Sequence, residues 1–482
     1  MLKMDNLSEY INLAVIVFIF VIGLLFLCAI ILFVIDITQN KHAIRRNYPL
    51  VGRFRYFFED MGEFFRQYFF AQDREEMPFN RAQRSWIYRS AKNIDNMVAF
   101  GSTKDLTKKG ALIFKNSFIP VLQEDAEPTK PMIIGEYCDN PYAAKSFFNI
   151  SAMSFGALSS VAVKALSKGA EKSGIWLNTG EGGLSPYHLS GGCDIIFQIG
   201  TAKYGVRDEN GDFCDEKLKE VASHEQVKMF EIKLSQGAKP GKGGILPAEK
   251  VTAEIARIRG IPEAQASISD NRHKEINNVS ELLDMVNHIR HVTGKPVGFK
   301  AVMGSYEWLE EMCLKIKEMG AESAPDYIVI DGCDGGTGAA PLSLMDNVGL
   351  PLRESLPEVA KILEFHRLKS RIKIVASGKM VNPADVAWAL SQGADFINSA
   401  RGFMFALGCI QAMKCSKNNC PTGITTHNKR LQKGLDVEGK AERVANYAKN
   451  MIKEVEVIAH SCGHVDARLL TKDNVKIVGN NC

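Results

Sequence analysis

Eleven cysteines are spread over 482 residues without the spacing of a disulfide framework, which argues against a cross-linked secreted protein and for a reducing compartment. No segment is low in complexity, and no motif recurs with a period of about 20–50 residues, so solenoids and propellers are excluded. No G-x-G-x-x-G opens a helix after an early strand, so a built-in nicotinamide site is not expected. Electrons for any redox chemistry would then come from outside the chain. The formal net charge is only +4, and what surplus exists is local, so no nucleic-acid partner is expected. The remaining composition, 46% hydrophobic and 24% charged, is that of one large globular domain or two to three smaller ones.

Charge is also missing from Ile11 to Ile35, where Asn12 is the one strongly polar residue. A helix there would be about 37 Å long, enough to cross a hydrocarbon core of about 30 Å. A cleaved signal peptide would have a basic start, a shorter apolar run and a small-residue cleavage site, and none of these fits. The reading is a retained membrane span. Before it stand Lys3, Asp5 and Glu9; after it come Lys41, Arg45 and Arg46. Positive charge stays on the cytoplasmic side, so the expectation is a single-pass protein of the cell inner membrane with its catalytic domain in the cytoplasm. Residues 41–92 hold 11 Lys/Arg and 6 Asp/Glu. With the aromatic run RYFFEDMGEFFRQYFF (55–70) this segment reads as an interfacial helix against anionic headgroups, or else as a docking helix for the main domain.

From residue 147 the chain alternates apolar runs with helical stretches. The predicted strands are 147–153, 175–180, 194–200, 229–235, 296–302, 326–332, 373–378 and 395–400. Several are continuous apolar runs, as in parallel strands covered on both faces. The expectation is an α/β fold, a (β/α)8 TIM barrel, with an open doubly wound sheet as the alternative. The connection 236–295 is too long for one helix, and QASIS within it is a candidate ninth strand outside the barrel. Residues 437–462 read as a last helix with Val444, Tyr447, Met451, Val455 and Ile458 on one face and Gly463 as its stop. The expected organisation is a membrane anchor (1–40), a basic juxtamembrane extension (41–146), the barrel with a cysteine-rich loop (147–430) and a C-terminal helical extension (431–482).

In such barrels chemistry sits on loops at the C-terminal ends of the strands, and the unusual motifs fall there. AMSFGALS follows strand one, NTGEGG strand two, QGAKPGKGG strand four and DGCDGGTGAAP strand six. SGK (377–379) and ARG (400–402) follow strands seven and eight, the usual phosphate seat, where Lys379 and Arg401 would add charge-assisted hydrogen bonds. Lys300 lies inside an apolar strand, and a buried lysine needs an anionic partner. Lys233, Gln236 and Lys239 crowd KLSQGAKPG, with Glu181 on a neighbouring loop. Two lysines and an amide suit a dicarboxylate, while Lys–Glu surface pairing is the plainer reading. Cys409, Cys415 and Cys420 stand close together before a proline. They are buried thiols, zinc ligands with His427 as a fourth, or the ligands of an iron–sulfur cluster.

ISAMSFGALS, NTGEGG, QGAKPGKGGILP, DGGTGAAP and GCIQAMKCSKNNCPTG together resemble the FMN-binding synthase domain of glutamate synthases, over about residues 147–430. The resemblance implies FMN and a [3Fe–4S] cluster, the latter held by Cys409, Cys415 and Cys420. It implies that Ala152, Met153, Ser154, Gln198 and Lys300 line the flavin, and that Gly335, Gly336, Gly378, Lys379, Arg401 and Gly402 hold its ring and phosphate end. Lys233, Gln236, Lys239 and Glu181, with Arg259, would hold 2-oxoglutarate. Lys239, Glu181 and Lys300 would be catalytic, in the reduction of 2-iminoglutarate to glutamate by hydride from the reduced flavin. The sequence departs from that family in having a membrane span where a glutaminase domain is expected and no long C-terminal β-helix. Lys242 stands where glutamate is usual, and Ile245 where glutamine is frequent. Free ammonia, a partner glutaminase, or a methylated amine of the kind used by the related N-methylglutamate synthases thus stay open as nitrogen donors. The electron donor would be a ferredoxin, a flavoprotein or a membrane quinone, and a homo-oligomer is possible. Two other readings are a flavin oxidoreductase acting on another amino, 2-oxo or 2-hydroxy acid, and a non-catalytic FMN/Fe–S relay subunit.

Overall fold

Runs such as IIFQI and YIVID carry apolar residues on both strand faces, a pattern stable only where both faces are covered. They become strands of a closed barrel: β1 (Phe148–Ile150), β2 (Leu177–Asn178), β3 (Ile195–Ile199), β4 (Val227–Lys233), β5 (Val297–Ala301), β6 (Tyr327–Asp331), β7 (Lys373–Ser377) and β8 (Phe396–Ser399). All neighbours are parallel, and β8 pairs back onto β1 through Ile397–Phe148 and Ser399–Ile150. That closure excludes the open sheet. The computed structural model describes residues 2–94 and 97–479, in two units, Met1–Ala82 and Gln83–Cys482.

The first unit contains α1 (Leu2–Thr38), α2 (Ala43–Asn47) and α3 (Gly52–Phe65), the last continued by a wider π turn over Arg66–Phe70. Within α1, Ser8–Thr38 is 31 residues long and apolar enough to cross a membrane.

The barrel unit takes in residues on both sides of the predicted barrel. A two-stranded ribbon, Met132–Ile134 against Tyr142–Ala144, packs Ile134, Tyr142 and Ala144 against Trp176, Met229, Tyr327 and Phe396. Several of these lie at the starts of strands, so the ribbon plugs the N-terminal mouth and leaves the opposite one open. A second ribbon joins Leu112–Phe114 to Val475–Ile477. Below β5 and β6, Asp326 is fully buried and held by Arg290 (3.1 Å) and Arg371 (2.8 Å).

Outside the barrel, α4 (Ser160–Ser173) is capped by the Ser159 hydroxyl, which accepts from the Ala162 N–H, and stops at Gly174 with φ +65°. Such a left-handed stop suits glycine. The short α5 (Arg401–Leu407) follows β8. The last helix, α6 (Val437–Ser461), buries Val444, Tyr447, Met451 and Val455 as its sequence predicts, with Ile458 half-buried and Ala459 fully so. It lies along α4 at Gly169, where a Cβ would run into Val444. In the long connection after β4, Ser267–Ile268 pairs antiparallel with Ile245–Leu246, the expected strand outside the barrel.

Candidate active site

The open mouth holds a cleft lined by residues from the C-terminal ends of the strands and the loops beyond them, the usual place of chemistry in such a barrel. Barrel strands supply its floor through Gln198, Lys300, Ser377 and Asn398. The loop after β1 brings Ala152, Met153 and Ser154, and that after β2 brings Glu181. Lys233, Gln236 and Lys239 come from the end of β4, with Arg259 from the excursion beyond it. Gly335, Gly336, Gly378, Lys379 and Arg401 complete the lining. The geometry thus brings together every expected site residue except Gly402, Cys409 and Cys420.

One wall is a linked polar chain. Lys233 Nζ lies 2.8 Å from Glu181 Oε1 and donates to Gln236 Oε1 at 2.5 Å. Gln236 Nε2 donates to Thr337 Oγ1 at 3.1 Å, and Arg401 donates to the Thr337 carbonyl. Burial alone would raise the Glu181 carboxyl, but Lys233, Lys239 and Arg259 hold it below its ordinary value. Burial and the Lys233 charge push Lys239 down to about 8. Arg259 spends two donors on structure, Nη1 on Ser267 Oγ (3.2 Å) and Nη2 on the Phe155 carbonyl (3.4 Å), while its buried Nε has no partner.

Beside this chain the lining is bare backbone. A Cβ on Gly336 would sit 2.8 Å from Arg401 Nε, and Gly378 adopts φ +133°, a conformation that side chains resist. Gly402 belongs elsewhere. It is buried and does not line the cleft; a Cβ there would strike the Tyr447 hydroxyl and lie 2.7 Å from Ser399 Oγ. Its lack of a side chain serves the packing of α5 under α6.

Three polar groups under the cleft escape a reading of the sequence. Glu231 faces Gln198 across β3 and β4, and Gln198 Nε2 donates to its Oε1 at 2.5 Å. Burial raises its carboxyl, against the opposing charge of Lys300. Lys300, registered beside Lys233, thus has an anionic neighbour in the barrel wall. The signal was in the sequence: an acid inside MFEIKLS, two residues before Lys233, must point to the same interior. Asp331 accepts from Ser377 Oγ and the Gly237 N–H, both at 2.8 Å, tying together the loops after β4, β6 and β7. His188 is buried, which pushes it down to about 4. It lies 2.8 Å from both Ser185 Oγ and the Met153 carbonyl, and so pins the loop after β1.

The cysteine loop borders the cleft through Cys415, 3.8 Å from Arg401 Nη1. Cys409 and Cys415 are half-buried and Cys420 is buried. Burial would raise the Cys420 thiol, but hydrogen bonds from Thr422 and Thr425 bring it below its ordinary value. The thiols of Cys415 and Cys420 lie near enough to Cys409 to influence its ionisation. These three thiols, with Arg401 and Lys250 beside them, are of the donor type an iron–sulfur cluster would need. Among the described residues no three His, Cys, Asp or Glu side chains could hold a single metal, and His427 Nε2 lies 2.8 Å from the Gly156 carbonyl.

Residues 87–465 match the family model described as the conserved region in glutamate synthase. The glutamate synthase large subunit-like protein YerD of Bacillus subtilis is 40% identical over 92% of both chains. An archaeal glutamate synthase [NADPH] of Methanocaldococcus jannaschii is 36% identical over 69% of this chain and 62% of its own length. Among solved structures, the flavin-binding domain of baker's yeast flavocytochrome b2 aligns over 83% of this chain and 80% of that one, with 14% identity and a TM-score of 0.48.

Proposed function

Because the chain belongs to the glutamate synthase family, we propose that it is an FMN-dependent oxidoreductase making glutamate from 2-oxoglutarate and an amino-nitrogen source. The observation that carries this reading is the sharing of one cleft by the Glu181–Lys233–Gln236 chain with Lys239, and by a glycine-lined seat flanked by Lys379 and Arg401. The first wall carries more positive than negative charge, as a dicarboxylate requires. The second exposes backbone with two fixed cations, as a flavin phosphate requires.

Ala152, Met153, Ser154, Gln198 and Lys300 would border the flavin ring, and Gly335, Gly336, Gly378, Lys379 and Arg401 its phosphate end. Bound FMN would supply hydride to C2 of the imine formed when 2-oxoglutarate condenses with ammonia and loses water. Lys233, held by Glu181 and Gln236, fixes one carboxylate, so orientation and charge complementarity do much of the work. Lys239 carries a proton at Nζ up to a pH of about 8, which makes it both a ligand for the second carboxylate and a proton source near the new amine. Lys300 is a fixed cation at the cleft floor.

Ile245, 40% exposed, lines the same cleft, and Lys242 adds a positive charge that acts on Lys239. These favour a second reading, in which the nitrogen donor or the acid differs, as with a methylated amine. Cys409, Cys415 and Cys420 would hold a [3Fe–4S] cluster that receives electrons from a ferredoxin or flavoprotein partner, and Ser8–Thr38 would cross the membrane with the barrel in the cytoplasm. The test is to reduce the purified flavoprotein and add 2-oxoglutarate with ammonia while following flavin absorbance. Reoxidation with glutamate formed supports the proposal. Reoxidation by a different acid or amine favours the second reading, and none by any small acid overturns both.

A further inference from the structure

The segment after the membrane helix presents a face that nothing else in its unit covers. Phe54, Phe57, Phe58, Met61, Phe64 and Phe65 fall within about 120° of arc at 100° per residue. Tyr68 and Phe69 continue the stripe, with Phe65 and Phe69 5.5 Å apart. Phe54, Phe58 and Phe69 are 62%, 63% and 75% exposed. The contacts that α3 makes with α1 and α2 come from other faces: the Cβ position of Gly52 lies 2.7 Å from the Ile44 carbonyl, and Arg45 stacks 4.8 Å from the Tyr56 ring.

A clamp ties this helix to the end of α1. Asp36, fully buried, accepts from Arg53 Nε and Nη2, both at 2.8 Å, and from the Leu50 N–H at 3.1 Å. The start of α3 is therefore fixed at the last turn of Ser8–Thr38, the candidate span, whose apolar side chains are themselves exposed. Between residues 41 and 55 stand Lys41, Arg45, Arg46, Arg53 and Arg55, with no acid among them.

We propose that residues 52–70 form a second, in-plane membrane contact, whose aromatic face enters the headgroup–acyl boundary of an anionic bilayer. The Asp36–Arg53 clamp sets its position against the span. The inference rests on the membrane reading of α1. An aromatic face matches the depth of that boundary, and Lys41, Arg45 and Arg46, which precede the helix, match its charge. A helix docking on protein would need no such cluster of three cations before it.

The full chain, reconstituted in vesicles, tests this. Its four tryptophans, at 86, 176, 308 and 388, all lie outside the first unit. Phe58→Trp adds one on the aromatic face and Glu59→Trp one on the polar face. With phosphatidylglycerol-containing vesicles carrying acyl-brominated lipid, Phe58→Trp emission should be quenched roughly two- to threefold and Glu59→Trp emission hardly at all. Adding Asp36→Asn should weaken the Phe58→Trp quenching, as should vesicles of phosphatidylcholine alone. An unquenched Phe58→Trp overturns the proposal; if its emission is nonetheless blue-shifted, a protein surface or a second copy covers the face. Equal quenching in both lipids overturns the anionic preference. Release of the unaltered chain by alkaline extraction would instead overturn the span itself.

Discussion

At the scale of single residues, burial and the charge of Lys233 act together on Lys239, against Glu181, whereas on Glu181 burial and the surrounding cations act in opposite directions. Lys239 loses hydration and faces Lys233, so both effects favour its neutral form and bring it down to about 8. Glu181, half-buried, is also partly desolvated, but the cations around it outweigh that cost and hold it below its ordinary value. A dicarboxylate entering the cleft meets a cation at Lys239 only below that pH. KM for 2-oxoglutarate should therefore rise as pH climbs through about 8, and kcat should fall over the same range as the Lys239 proton is lost. Lys239→Arg, which stays charged, should carry the low-KM range to higher pH, whereas Lys239→Ala should raise KM at every pH and abolish 2-oxoglutarate-dependent flavin oxidation at ordinary concentrations. KM–pH profiles of the three proteins check this. A break near 8 that persists in Lys239→Arg would assign the titration to another group.

At the scale of elements, α5 and α6 meet at Gly402. A methyl there would strike the Tyr447 hydroxyl, which also donates to the Val381 carbonyl at 3.3 Å. Gly402→Ala should destabilise the barrel unit by about 1–3 kcal/mol, the usual cost of overpacking a core. Tyr447→Phe removes the atom nearest the new methyl, so the double variant should recover part of that loss in urea unfolding. Strict additivity would sink the packing account. The same residue marks where the sequence was opaque. Glycine after a barrel strand has the same letter whether a ligand or a helix excludes the side chain, and only the place of Tyr447 separates the two. Strands β1–β8 were legible because their apolar runs admit no other home, and the cleft because its motifs lie just beyond those strands. Glu231 was hidden by its apolar neighbours. The ribbon of Met132–Ile134 with Tyr142–Ala144 was hidden by brevity, since three-residue strands carry little periodic signal.

At the scale of the whole molecule, the cleft and the cysteine loop are built as one body. Lys250, buried within the excursion after β4, donates from Nζ to the carbonyls of Ala157 (2.8 Å) and Cys415 (3.2 Å). Ser159 Oγ donates to the Gly423 carbonyl at 2.8 Å, and His427 lies against the Gly156 carbonyl. The loop that would border the flavin is thus stitched at three points to the loop that carries the thiols, while Arg401 bridges Thr337 and Cys415 on the other side. Were the proposed cluster bound to these thiols, this arrangement would hold it at a fixed distance from the cleft. Cys420→Ser should accordingly remove protein-bound iron and sulfide and the broad visible absorbance they cause, with FMN content unchanged. Flavin reduced chemically should still be reoxidised by 2-oxoglutarate and a nitrogen donor in that variant, because the substrate wall is untouched. Flavin reduction by a protein electron donor should be lost. Iron and sulfide near zero in the unaltered protein, purified without oxygen, would refute the cluster and leave the flavin reading standing. Loss of FMN along with iron in Cys420→Ser would mean that the stitches serve folding of the loop after β1 rather than electron entry.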